Sequence, residues 1–199
     1  YSDSSEAEVP PAGGFRGASE DSLVYLRTER EFKNCLLVEQ PNGDWGQTIL
    51  RQFIFSTYQY YLYQRLKDIG SDTTLAAIAE KSLKEITYHI RWSGEWVIRL
   101  GDGTEESKHR MEAAIENLWP YTGELFIPAS YEKETGINFE EIKRNWLNKA
   151  NNIITEATLT MPENVFMHTG GKTGTHTEHL GYILAEMQYM QRTYPGCEW

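Results

Sequence analysis

The stretch SDTTLAAIAEKSLKEITYHIRWSGEWVIRLGDG, residues 71–103, decides the fold class. Within it Leu75, Ala79, Ser82, Ile86, His89, Ser93, Trp96 and Leu100 recur at spacings of three and four. Side chains so spaced share one face of an α-helix, here about eight turns long. Ser71 and Asp72 suit its N-cap, where a short side-chain oxygen accepts a free backbone N–H. Gly101-Asp102-Gly103 breaks it. A helix of this length needs other helices to cover its stripe, and the flanking sequence supplies them.

Upstream, Pro41-Asn42-Gly43 makes a turn, and Asp44 caps a helix running to about Ile69, ended by Gly70. Its apolar residues, among them Ile49, Phe53, Phe55, Tyr58, Tyr61 and Leu66, nearly encircle it. A helix apolar all round is either central in its own bundle or shared with a partner. A tyrosine buries its ring yet keeps a polar tip. That favours a shared face, with Phe55, Tyr58 and Tyr61 as interface candidates and self-association expected of the isolated chain. Shorter helices are expected from Ser19 and over Glu31–Gln40. Residues 1–18 lack any period and read as a flexible or irregular N-terminal segment, which leaves 19–199 as the helical domain.

Downstream, Thr104 opens a helix with Met111, Ala114, Ile115 and Leu118 on one face, and Pro120 bends it. A polar connection covers 127–138. The next helix is expected over Phe139–Thr160, with Ile142, Trp146, Ala150, Ile153 and Ala157 inward, stopped by Met161-Pro162. A glycine-rich loop at Thr169–Thr175 precedes a last helix over Thr177–Tyr194. No stretch alternates with period two for long enough to form a sheet. The chain reads as an all-α helical bundle.

Composition narrows the function. A net charge of -10 and a pI near 5.0 argue against nucleic acid, whose phosphates repel such a surface. No apolar run is long enough for a membrane span, and no signal peptide is visible. Cys35 and Cys197 form no metal or redox motif, so a reduced, cytoplasmic setting is expected. Six Trp and twelve Tyr exceed what the core of 199 residues needs, and surplus aromatics often serve interfaces.

Several groupings carry possible chemistry. Gly171-Lys172-Thr173 lacks the upstream glycine of a phosphate loop, since Phe166 holds that position, so it reads as a linker that re-aims the last helix. A di-iron bundle needs a Glu from each of two helices and a Glu-x-x-His from each of two more. The one such pair, Glu106 and His109, points away from the apolar face of its helix. Glu85 and His89 lie four apart on or beside the long stripe. They are a ligand pair with altered spacing or a hydrogen-bonded core pair, and with no second Glu-x-x-His the vestigial core pair is favoured. His176, Glu178 and His179 resemble a metal cluster in composition but open a helix, where polar groups commonly act as caps. No catalytic residue and no metal ligand is assigned.

The residues also carry a resemblance. Glu29-Arg30-Glu31-Phe32, Leu36-Leu37-Val38-Glu39-Gln40-Pro41-Asn42-Gly43 and Lys84-Glu85 with Tyr88-His89 resemble the C subunits of bacterial phenylacetyl-CoA epoxidases. So do Thr169-Gly170-Gly171-Lys172, His176-Thr177-Glu178-His179-Leu180-Gly181 and Leu184-Ala185-Glu186-Met187-Gln188-Tyr189. The likeness runs from about Asp21 to Trp199. It implies a ferritin-like helical bundle, expected here without the family's usual first long helix. It implies a complex that adds one oxygen atom of O₂ across the ring of phenylacetyl-CoA in aerobic phenylacetate breakdown. A di-iron A subunit would be the catalytic partner, a reductase would pass on electrons from NADPH, and the C subunit would be structural, holding no cofactor. Two other readings stand beside it: a self-sufficient ferritin-like di-iron oxygenase or iron store, separated by the missing second Glu-x-x-His, and an unrelated interaction module.

Overall fold

The computed structural model describes residues 20–69 and 72–194. The N-terminal segment 1–18, the Ser19 start, Gly70, the Ser71 cap and Cys197 lie outside the described residues. Eight α-helices are seen among those described, with no strand: α1 (Glu20–Tyr25), α2 (Trp45–Leu66), α3 (Thr73–Gly101), α4 (Glu105–Leu118), α5 (Ser130–Lys133), α6 (Phe139–Glu156), α7 (Glu178–Met187) and α8 (Tyr189–Thr193).

The long helices start where short polar side chains can cap them. Asp44 accepts from the Gln47 N–H at 3.0 Å and Asp72 from the Leu75 N–H at 2.9 Å. Thr104 accepts from Ser107, and Asn138 from Glu140 and Glu141. Each bond satisfies a donor that the first helical turn leaves without a partner. α2 is the central element, packed against α3, α4 and α6. Its first half is fully buried from Ile49 to Tyr58 on two sides, while Tyr60, Tyr61 and Tyr63 are half-buried. α3 spans about 43 Å at 1.5 Å per residue, well beyond α4 and α6. Its last turn crosses the end of α6 so closely that a Cβ on Gly101 would lie 2.4 Å from the Ala157 carbonyl oxygen. The core between these helices is apolar: Phe53, Val97, Met111, Leu118, Ile142, Trp146 and Ile154 are all at or near zero exposure. The Trp146 indole N–H donates to the Ile54 carbonyl at 2.9 Å, so even the largest buried ring keeps its one donor satisfied.

Three expectations about elements need correction. Residues 31–40 do not form a helix but two 3-10 turns, Glu29–Glu31 and Leu36–Glu39, joined by extended backbone. The reason is tertiary: the Leu36 N–H is taken by the Glu124 carboxylate at 2.8 Å. The helix from Phe139 ends at Glu156, where Thr158 turns left-handed at φ 58° and its hydroxyl donates to the Gly101 carbonyl. The last helix is two, broken at Gln188, whose buried amide donates to the Val24 and Arg27 carbonyls and so ties the chain's end to α1 and the segment after it. The phase of α3 also shifts. The buried line runs through Ala79, Ile86, Ser93 and Val97, and His89 sits on its flank.

Candidate functional site

The concentration of buried charge lies outside the helical core. It joins the strap of residues 28–40, the segment 122–132 and the loop 169–177. Glu39 is 1% exposed and accepts four hydrogen bonds. Its Oε1 accepts from the Asn34 amide at 2.8 Å and faces His176 Nδ1 at 2.6 Å. Its Oε2 accepts from the Thr177 N–H and hydroxyl, both at 2.8 Å. His176 Nε2 faces the Phe32 carbonyl at 3.0 Å. The imidazole is thus held by the strap at both of its nitrogens.

A second carboxylate repeats the pattern. Glu124 accepts from the Leu36 N–H through one oxygen, and from the N–H groups of Gly170 and Lys172, at 2.7 and 3.4 Å, through the other. The Lys172 ammonium turns inward to Glu132, at 3.0 and 3.1 Å, and to the Leu125 carbonyl at 3.1 Å. It also stands 5.3 Å from the Phe139 ring and 5.7 Å from that of Tyr58. A buried charge is tolerated only when paired and hydrogen-bonded, and these are. The glycines make the approach possible. A Cβ on Gly171 would lie 2.4 Å from the Asn34 carbonyl oxygen, and one on Gly174, at φ 94°, 2.7 Å from the Arg30 carbonyl oxygen. Neighbouring groups respond to the dry, acidic surroundings. Burial, helped by the Glu124 charge, pushes the Cys35 thiol up to about 12. Burial and Glu132 push the Tyr58 phenol well above its ordinary range.

This cluster is a clasp. Every oxygen of its carboxylates already accepts from a backbone or side-chain donor, so their charge is engaged within the fold. It draws together Leu36–Gln40 and Gly170–Thr177, two motifs some 130 residues apart, and explains the inward lysine of Gly171-Lys172-Thr173, which has no phosphate-cradling geometry.

The other singled-out residues fall elsewhere. Glu85 and His89 face each other at 3.8 Å but are not buried: the side chains are 76% and 36% exposed. The burial expected of them is corrected, because the groups lie on a part of α3 that no other helix among the described residues covers on that side. Glu106 pairs with Arg110 and His109 with Glu112, on the solvent side of α4. Glu178 is exposed, and the His179 ring lies 6.5 Å from that of Tyr182, so His176, Glu178 and His179 do not converge. Among the described residues no group of three His, Cys, Asp or Glu side chains is placed to hold a metal ion. Tyr58, expected at an interface, is a core residue at 5% exposure, edge-on to Phe126 at 5.9 Å. Phe55 beside it and Tyr61 are half-buried. Glu39, Glu124, Glu132 and Lys172 carry no assigned role in the sequence pattern. The signal for Glu39 was a glutamate closing the apolar run Leu36–Val38; Glu124 sits likewise against Leu125 and Phe126.

The fold is thus an all-α bundle closed by a buried polar clasp. Residues 10–199 match the family described as phenylacetic acid catabolic protein. The chain is 44% identical over 185 residues to the C subunit of the 1,2-phenylacetyl-CoA epoxidase of Escherichia coli strain K12, an alignment covering 90% of this chain and 74% of that protein. The chain therefore belongs to the phenylacetic acid catabolic protein family, and its all-α bundle is the ferritin-like fold of that family.

Proposed function

We propose that this chain is the structural C-type subunit of a phenylacetyl-CoA epoxidase, supporting a di-iron A subunit in phenylacetate catabolism and doing no chemistry alone. The observation that carries this reading is the filling of the bundle. A di-iron centre needs inward carboxylates and imidazoles from four facing helices. Here the inward positions of α2, α3, α4 and α6 hold Phe53, Val97, Met111, Ile115, Ile142 and Ile154. The buried acids Glu39 and Glu124 sit in the clasp with their oxygens occupied. The residues present therefore do not fit a di-iron pair, and no step of the oxygenation is assigned to them. The other subunits of the epoxidase are the partners, in the cytoplasm; among the described residues no helix is long and apolar enough to cross a membrane.

Anaerobic loading with ferrous iron followed by elemental analysis tests the proposal. Substoichiometric iron is expected, with epoxide formed only when the A subunit and reductase are added. About two irons per chain, or turnover without the A subunit, would overturn it.

A further inference from the structure

The turn Pro41-Asn42-Gly43 joins the strap of the clasp to α2, and all three residues are exposed. Side chains from the first two turns of α2 hold it. The Arg51 guanidinium donates to the Gln40 carbonyl, to the Pro41 carbonyl at 3.1 Å and to Asn42 Oδ1. The Thr48 hydroxyl donates to the Asn42 carbonyl at 2.8 Å, and the Gln47 amide to the Pro41 carbonyl at 2.9 Å. Residue 43 has to be glycine. Its φ is 59°, and a Cβ there would lie 2.8 Å from the Gln47 side chain. The fold therefore fixes an asparagine followed by a glycine in a turn open to water.

Such a dipeptide can cyclise: the glycine nitrogen attacks the asparagine Cγ, and a cyclic imide forms as ammonia leaves. The turn leaves each reacting atom in the state this needs. Among the described residues the Gly43 N–H has no acceptor, so no hydrogen bond restrains the nucleophile. Asn42 Nδ2 has none either, so the leaving group gives up no bond. Only Oδ1 is engaged, and it is engaged by a cation at the position where negative charge develops as the nitrogen adds to Cγ. The other asparagines lack this combination. Asn34 and Asn117 donate through Nδ2 to Glu39 and Gln47, and bulkier residues follow them. Asn138 accepts as the cap of α6, the asparagines within α6 are followed by N–H groups of the helical ladder, and Asn164 precedes the β-branched Val165.

We infer that Asn42 is a site of spontaneous deamidation in the folded protein, with Arg51 stabilising the oxyanion of the cyclisation step. The Gly43 nitrogen loses its proton to hydroxide and bonds to Cγ, the Cγ–Nδ2 bond breaks, and ammonia takes up a proton as it leaves. Water then opens the imide, so the net change is amide plus water to carboxylic acid plus ammonia. Opening at Cγ gives aspartate. Opening at the main-chain carbonyl gives isoaspartate, whose main chain runs through Cγ and is one carbon longer. Both products put a carboxylate beside Arg51, and isoaspartate also turns the carbonyl held by Thr48 into that carboxylate, at the point where the strap enters α2.

The test holds the full chain at mildly alkaline pH in water labelled with heavy oxygen, once folded and once in urea. Tryptic peptides are followed by mass spectrometry, with an isoaspartyl methyltransferase as the probe for isoaspartate. Asn42 is expected to convert before any other asparagine, with uptake of labelled oxygen and methyl acceptance. It should do so at least as fast in the folded chain as in urea, because only the folded chain holds Arg51 against Oδ1. Arg51→Gln should slow the folded-state conversion about tenfold, less than a buried oxyanion donor contributes because this turn is wet, and should leave the rate in urea unchanged. Conversion slower in the folded chain than in urea, conversion first at another asparagine, or a folded-state rate that Arg51→Gln leaves unchanged or raises would overturn the inference.

Discussion

Trp146 and Glu39 are each 1% exposed, yet they hold the protein by different means. Trp146 packs its rings on Trp119 at 5.5 Å and Phe126 at 5.2 Å and makes one hydrogen bond. Most of what it contributes is area removed from water, which is non-directional and tolerates a repacked neighbour. Glu39 contributes through direction. Four donors from two distant segments converge on two oxygens, and removing any one partner orphans another. The bundle is thus robust and graded, while the clasp behaves as a unit. It also fixes what the bundle core does not reach: α7 makes its main contacts with the strap turns Glu29–Glu31 and Leu36–Glu39 and with α8, rather than with the four long helices.

The sharpest probe of that contrast is Cys35, whose thiol belongs to the apolar core while its backbone lies in the strap. Raised from 9.0 to about 12, it holds about a thousandfold less thiolate at pH 8 than an ordinary cysteine. In a Cys197→Ser background, labelling by a maleimide should be slow in the native protein and fast on unfolding; fast native labelling would mean the strap opens freely. The same shift sets a pH dependence. The folded-state value is raised, so its stabilisation is complete below about pH 9 and declines as pH rises from 9.0 towards about 12, because the unfolded chain ionises first. Denaturation midpoints at pH 8 and pH 10 check the sign.

Glu124→Ala leaves three N–H groups, two of them buried, without an acceptor and should cost about 3–5 kcal/mol in chemical denaturation. A loss under about 1 kcal/mol would place the clasp on a par with exposed polar contacts. Glu39→Gln keeps the shape but puts an amide where a carboxylate met two donors per oxygen, and about 1–3 kcal/mol is expected. Its signature is spatial: amide exchange should quicken over 176–194 and stay slow in α2 and α6. Uniform quickening would merge the two regions into one cooperative unit. The smallest effect belongs to His89→Ala. That exposed pair should contribute less than about 0.5 kcal/mol, so a large fall in melting temperature would show it buried in some assembled form.

Much of the bundle is legible in the sequence alone. Asp44, Asp72 and Thr104 cap the helices they were read to cap, and Ile142, Trp146 and Ala150 face inward as their spacing requires. These features are local: a cap needs a side chain and an N–H three residues on, and a stripe needs only the 3.6-residue period. The failures share the opposite property. Residues 31–40 read as helix because their composition allows one, and only a carboxylate from residue 124 takes the N–H that would have continued it. Tyr58 looked like a surface residue because tyrosine suits interfaces, but Phe126 and Lys172, far along the chain, cover it.

The sequence by itself therefore determined the all-α class, the places where the long helices begin, the apolar faces they bury and, through its long motifs, the family. Only the tertiary structure decided that Glu39, Glu124, Lys172 and His176 are buried and joined, and that Glu85 and His89 are not. The reason is range. Helical periodicity is written into neighbours three and four residues apart, whereas a buried charge is decided by the donors that meet it, and here all but the Asn34 amide and the Ala129 N–H arrive from 40 to 138 positions away.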